Sequence, residues 1–180
     1  MNKVIRFYNY EACYAHYTAR IMNIRQAKKY GEVIVAKPVL LLAVIDGIER
    51  QVFTNNVIQL NDWLEAQYEV LMRQYTRNSI FNGFSPINNP FWHLESDGFW
   101  HLHYPGLELS KTSTPSTKWL KENVRYASLD DDLWILLQNE AMRQRLRDYI
   151  VEHKLGGEDR GLLKVAENLG LLTGLLLAVA

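Results

Sequence analysis

Residues 38–49 read PVLLLAVIDGIE, a run with no polar side chain before Asp46. Proline is tolerated at a first-turn position, where its missing amide hydrogen would have been unpaired anyway. The helix it opens, Pro38 to Glu49, is apolar on nearly every side. Such a helix is stable only when other elements cover it all round. The rest of the chain must therefore wrap this helix, and 180 residues are enough for one domain with a core of that kind. With 48% hydrophobic and 22% charged residues, the chain has ordinary globular composition, which excludes a disordered protein.

The flanking segments supply the wrapping. Glu11 to Tyr30 reads as a helix stopped by Gly31, with Tyr14, Tyr17, Ile21 and Ile24 on one stripe. Glu32–Ala36 reads as a short connector and Gln51–Leu60 as an extended segment. Asn61-Asp62 caps a helix from Trp63 to about Tyr75, whose inner stripe is Leu64, Tyr68, Leu71, Met72 and Tyr75. Residues 77–89 are rich in Asn, Ser, Gly and Pro and read as a long loop. After an irregular stretch from Pro105 to Thr117, Ser116 or Thr117 caps a short helix around Trp119–Val124. A helix near Asp130–Leu137 and an amphipathic one from Glu140 to Leu155 complete the domain, and Gly156-Gly157 ends the last.

Between loop and irregular stretch lies Asn88–Tyr104, NNPFWHLESDGFWHLHY. It reads as two strands, Phe91–Glu95 and Phe99–Tyr104, around a Ser96-Asp97-Gly98 turn. Asp-Gly between alternating apolar residues is a strong hairpin signal, since both central positions of a type I′ turn need φ > 0. Asn89-Pro90 forms a rigid corner at its entrance. Either a core sheet or a recognition surface would account for so aromatic a hairpin. The expected fold is α+β: a mostly helical single domain with a small antiparallel hairpin, winged-helix-like in its element order. Trp63–Tyr75 carries Arg73 as its single arginine, so base reading by that helix is not supported.

The formal net charge is zero, yet residues 1–38 hold Lys3, Arg6, Arg20, Arg25, Lys28, Lys29 and Lys37 against Glu11 and Glu32. That local excess is either a solvated face or a basic patch. The single cysteine, Cys13, rules out an internal disulfide and fits a reducing compartment, so a cytoplasmic location is expected. No secretory signal is expected at the N-terminus. Residues 156–180 form an apolar tail or helix, expected to pack on the domain or a partner. Its run GLLTGLLLAVA is too short to span a bilayer, and no membrane partner is expected.

His93, His101 and His103 could seat a zinc ion for hydrolytic or nuclease chemistry, but no cysteine or acid–histidine helix motif accompanies them. Asp130–Asp132 sit where helix capping explains them. Cys13 has no paired histidine nearby in sequence. Spacing therefore offers no catalytic constellation, and neither cofactor nor metal is expected.

Three segments carry a resemblance. They are Lys37 to Arg50 (KPVLLLAVIDGIER), Asn89 to Trp100 (NPFWHLESDGFW) and Tyr126 to Leu133 (YASLDDDL) with the arginine-rich helix after it. In this order and spacing the chain resembles the sulfur-binding domain of phosphorothioation-dependent, type IV restriction endonucleases over roughly residues 10–155. In that family the domain usually precedes a His-Asn-His nuclease. The resemblance implies a non-catalytic module, residues 1–155, that binds double-stranded DNA in which sulfur replaces a non-bridging phosphate oxygen. It places the sulfur site at Asn89, Pro90 and His93 with Ala36 and Lys37, helped by Ser113, Thr114 or Lys118. Arg25, Lys28, Lys29 and Lys118 become phosphate contacts. Asn89 stands where tyrosine is common and Ala36 where histidine is common, and both changes remove aromatic surface. A nuclease domain or subunit and a homodimer are the further partners this reading allows. An interaction module built on the apolar tail and aromatic hairpin is the alternative from another class.

Overall fold

A computed structural model describes residues 9–79, 84–105 and 113–156. In chain order the elements are α1 (Tyr10–Met22), β1 (Lys28–Lys29), β2 (Glu32–Val33), α2 (Ala36–Glu49), α3 (Asp62–Thr76) and α4 (Asn88–His93). A 3-10 turn, Leu94–Asp97, then leads to β3 (Trp100–His103), α5 (Thr117–Asn123), β4 (Tyr126–Leu129), α6 (Asp131–Gln138) and α7 (Glu140–Lys154). The expected class holds: a mostly helical α+β domain with small antiparallel pairings.

Helix α2 is the centre. Every residue but Lys37 and Glu49 is buried, and α3, α4, α6 and α7 pack around it. Its one buried charge, Asp46, accepts a 2.6 Å hydrogen bond from Gln67 Nε2 and lies 3.5 Å from Arg147 Nε. Those contacts are what allow a carboxylate at that depth. Gly47 admits the edge-to-face pair Phe53–Trp63, because a Cβ there would sit 2.5 Å from the Phe53 ring.

Capping fixes α3 as its sequence indicates, with Asn61 Oδ1 accepting from Leu64 N–H at 2.9 Å. Ser116 does the same for α5. Helix α1 stops earlier than its composition suggests. Asn23 Nδ2 donates to the Ala19 carbonyl, and the next turn is broken because Arg25 N–H donates to Asp97 Oδ1. Gly31 is therefore no helix stop. It is the second residue of a turn joining β1 to β2, with φ of 50° at Tyr30 and 82° at Gly31.

The aromatic stretch departs most from expectation. Phe91–Glu95 is helical: Pro90 sits in the first turn of α4, where no amide donor is required. Phe91, Trp92 and Leu94 are all buried, a set that a strand with two alternating faces does not produce. Asp-Gly is no type I′ turn. Of its two residues only Gly98 has positive φ, and it terminates the 3-10 turn. The strand Trp100–His103 pairs instead with Tyr126–Leu129, in register Trp100↔Leu129. The wing of the expected winged-helix order is thus not built from residues 91–104. Ile58 in the otherwise irregular 51–60 segment bridges to Ala127 on the outer edge of this sheet.

Asp130 was expected to cap α6, but its side chain makes no capping bond. It accepts from Tyr17 Oη at 3.0 Å and lies 3.5 Å from Arg20 Nη1 and 2.6 Å from His101 Nε2. Cys13 is a buried thiol, pushed up to about 11 by burial and the nearby Asp132. Among the described residues no helix is long and apolar enough to cross a membrane. The apolar tail beyond Gly156, and with it the interaction role assigned to the tail, lies outside them.

Candidate nucleic-acid interface

The start of α2, helix α4 with the 3-10 turn after it, and the segment between α1 and α2 meet at a surface cavity of about 260 Å³. Its apolar lining comes from Ala27, Ile34, Ala36 and Pro90, and its polar lining includes Arg25, Lys37, Asn89, His93 and Ser96. Residues 36–37 and 89–93, which the sequence resemblance grouped together, are brought face to face here. Pro90 is buried because its ring closes the first turn of α4 against the body of the domain, while Asn89 beside it stays exposed and donates to Ser85 Oγ at 3.3 Å.

Lys37 is the charged group of the cavity, and it is not alone. Its ammonium lies 2.6 Å from Asp97 Oδ2, with the two side chains only 12% and 5% exposed. Asp97 is fixed a second time by the Arg25 N–H at 3.1 Å, and its own carbonyl accepts from Arg20 Nη2 at 3.4 Å. Sequence reading assigned Asp97 to a turn. Its partner is sixty residues away, and no local pattern announces the pair.

His93 Nε2 is 2.7 Å from Thr114 Oγ1, which draws Thr114 and the adjacent exposed Ser113 to the rim. Asn88 Nδ2 holds that segment by donating to the Pro115 carbonyl at 2.7 Å. Burial, with Lys37 adding to it, holds the His93 imidazole below the usual histidine range, and burial does the same at His103. The unfolded chain takes up these protons first, near pH 6.5, so the stability they carry is present above that value and is lost below it. The urea midpoint is expected to fall as pH drops from 7 to 5. In a His93→Asn variant the fall should be smaller.

The other predicted cations are spread around the cavity. Lys28 and Lys29 are exposed on β1, and Ala27 before β1 and Ile34 after β2 belong to the cavity wall. Lys118 is apart from it, exposed on α5, 3.9 Å from Glu122. The three histidines do not converge. His93 is on α4, His101 is bound to Asp130, and His103 is 2.8 Å from Ser128 Oγ and stacked on Tyr126. Among the described residues no group of three or more His, Cys, Asp or Glu is arranged to hold a metal ion. A hollow lined in part by apolar groups, with a lysine paired to a carboxylate and an imidazole held below the usual histidine range, suits a ligand that presents a weakly hydrated, polarizable face together with negative charge.

Comparison with curated proteins found no match. Among solved structures, one described as "Sulfur binding domain of SprMcrA complexed with phosphorothioated DNA" matches with a TM-score of 0.58 and 15% identity, covering 84% of this chain and 91% of that one. That likeness concerns the fold. The model of the family described as "ScoMcrA-like, DNA sulfur-binding domain" matches residues 15–171. Because that match takes in every element from the middle of α1 to the end of α7, including both sides of the cavity, this chain belongs to the ScoMcrA-like DNA sulfur-binding domain family.

Proposed function

We propose that this domain binds duplex DNA carrying a backbone phosphorothioate and seats the sulfur in the cavity between Ala36-Lys37 and Asn89-Pro90. The supporting observation is that two segments fifty residues apart build one hollow, in which Ala36 and Pro90 lie beside Lys37 and its partner Asp97. Sulfur is larger and more polarizable than oxygen and a poorer hydrogen-bond acceptor, so it loses little on leaving water for the apolar groups there. An oxygen placed there forfeits its hydration, at a cost of ~1–3 kcal/mol. That range corresponds to roughly 5- to 150-fold in affinity. Lys37 holds the remaining charge, His93 and Thr114 close one side, with Ser113 beside them, and Asn89 borders the corner.

Pairing with Asp97 has a consequence for selectivity. A bare buried lysine would attract any phosphate; a lysine already neutralised attracts an ordinary phosphate less, so discrimination falls to the apolar groups. Arg25, Lys28, Lys29 and Lys118 would contact neighbouring phosphates, which position the duplex without specifying it. The recognition unit is residues 1–155, with 156–180 as an appended tail, and cleavage would be supplied by a separate nuclease domain or subunit.

Four such contacts give log affinity a slope against log salt of about −3.6, at ~0.9 per neutralised phosphate. Anisotropy titrations of a modified duplex between 50 and 200 mM salt, an estimated working range, measure it. In a Lys28→Ala/Lys29→Ala variant the slope should shrink by about two while selectivity for the modification is kept. Salt-independent binding would count against the duplex-binding reading.

A further inference from the structure

Asp97 reaches the cavity from the end of the 3-10 turn, and its carboxylate is what neutralises Lys37. The turn that carries it is gripped from behind by α1. Arg20 Nη2 donates to the Asp97 carbonyl at 3.4 Å, while Nη1 of the same guanidinium lies 3.5 Å from Asp130 Oδ2. Gly98 leaves room for this, since a Cβ there would sit 2.7 Å from Arg20 Nη2. Close packing does not place the guanidinium. The Arg20 side chain is 33% exposed and borders a second hollow, of about 340 Å³, which shares Arg25 and Ser96 with the first. Asp130, by contrast, is tied on several sides. It accepts from Tyr17 Oη at 3.0 Å, lies 2.6 Å from His101 Nε2, and donates its own N–H to the Phe99 carbonyl at 3.0 Å. Burial, with Asp130 adding to it, pushes the Tyr17 hydroxyl well above the usual tyrosine range, so it stays a donor. Tyr17 and Arg20 are three residues apart on α1 and reach Asp130 from one helix face.

We propose that Arg20 is a positioning residue for sulfur selectivity: braced by Asp130, it holds the turn at Asp97 so that the carboxylate stays on Lys37. The inference rests on the function proposed above, in which a neutralised lysine leaves discrimination to the apolar groups of the hollow. When the turn slackens, Asp97 leaves the lysine for part of the time, and the freed ammonium attracts any phosphate. Affinity for unmodified DNA then rises relative to modified DNA. Loss of a surface cation that touched the DNA would act differently. The two duplexes carry the same charge, so both would weaken alike. Lysine is no substitute for arginine at this position, because its single ammonium lacks the planar fork whose two nitrogens point separately at Asp97 and Asp130.

The test titrates modified and unmodified duplexes of one sequence, by anisotropy at equal salt, with wild type, Arg20→Lys and Gly98→Asn. Asparagine accepts left-handed backbone, so the second variant keeps the turn at φ 82° while its Cβ displaces the guanidinium. Each variant should lower the modified-to-unmodified affinity ratio by about threefold or more, the scale on which residues outside a binding site act on it. Arg20→Lys made in an Asp97→Asn background should change that ratio by less than about twofold, since the group through which Arg20 acts is already altered. An unchanged ratio in either single variant would overturn the proposal. So would a loss of affinity for both duplexes at constant ratio, the mark of a missing phosphate contact or a weakened fold. An Arg20→Lys effect as large in the Asp97→Asn background as in wild type would also overturn it. A wild type that fails to separate modified from unmodified DNA would instead overturn the underlying function.

Discussion

Replacing Lys37 by alanine is expected to reduce affinity for phosphorothioate DNA by about 100-fold or more, the scale of truncating one member of a desolvated charge pair at an interface. Two effects combine. The cation that faces the ligand is gone, and the Asp97 carboxylate, 5% exposed, is left facing an anion. The same substitution should lower folding stability. Breaking a buried pair costs ~3–5 kcal/mol, and the low end applies because the Arg25 N–H still binds Asp97. A second variant separates the two effects. Lys37→Met with Asp97→Asn removes both charges, so stability should return while binding does not. Asp97→Asn alone is the opposite case: it frees the lysine charge, so both modified and unmodified duplexes should bind more tightly and be separated less. Urea denaturation and paired titrations read all three. Full binding by Lys37→Ala would remove this residue from the site.

Trp100→Ala is expected to be the most damaging change to the fold, at ~3–5 kcal/mol for truncating a buried aromatic. Trp100 is fully buried, its indole N–H donates to the Phe91 carbonyl at 3.0 Å, and its ring meets Phe91 edge to face at 5.3 Å. Domain stabilities are about 5–15 kcal/mol, so the variant should be partly unfolded at 37 °C, an ordinary assay temperature near which such margins matter. Because Phe91 follows Pro90, the corner of the cavity loses its support together with the core. Trp100→Phe fills much of the space but orphans the Phe91 carbonyl, which predicts a smaller loss of ~1–3 kcal/mol. Thermal melts of the two variants give the order.

Much of this architecture could be read from residue pattern. The 38–49 run had to be central, and Asn61 and Ser116 announced their helices through side chains that bond the first turn. The aromatic stretch misled because its cues were local and the decisive contacts were not. Phe-Trp-His-Leu alternates loosely enough to suggest a strand, but the residues that pair with Trp100–His103 are 126–129, beyond an intervening loop and α5. Likewise Glu11–Tyr30 has helix-forming composition throughout, and the helix ends early at Asn23, with the bond from Arg25 N–H to Asp97 breaking the next turn. The cavity divides in the same way. Lys37, Asn89, Pro90 and His93 were identifiable because they sit in recognisable motifs at fixed spacing. Asp97, Ala27 and Ile34, which neutralise and line it, became visible only when the chain was folded.

The proposed discrimination of sulfur from oxygen on one phosphate rests on the hollow at Pro90 and on the lysine beside it that Asp97 already pairs. Its most direct test is the affinity of the wild-type domain for a single duplex sequence prepared with and without one phosphorothioate, at equal salt. The modified duplex should bind more tightly, by roughly 5- to 150-fold from the hydration lost by oxygen. Equal affinity for the two duplexes would contradict it.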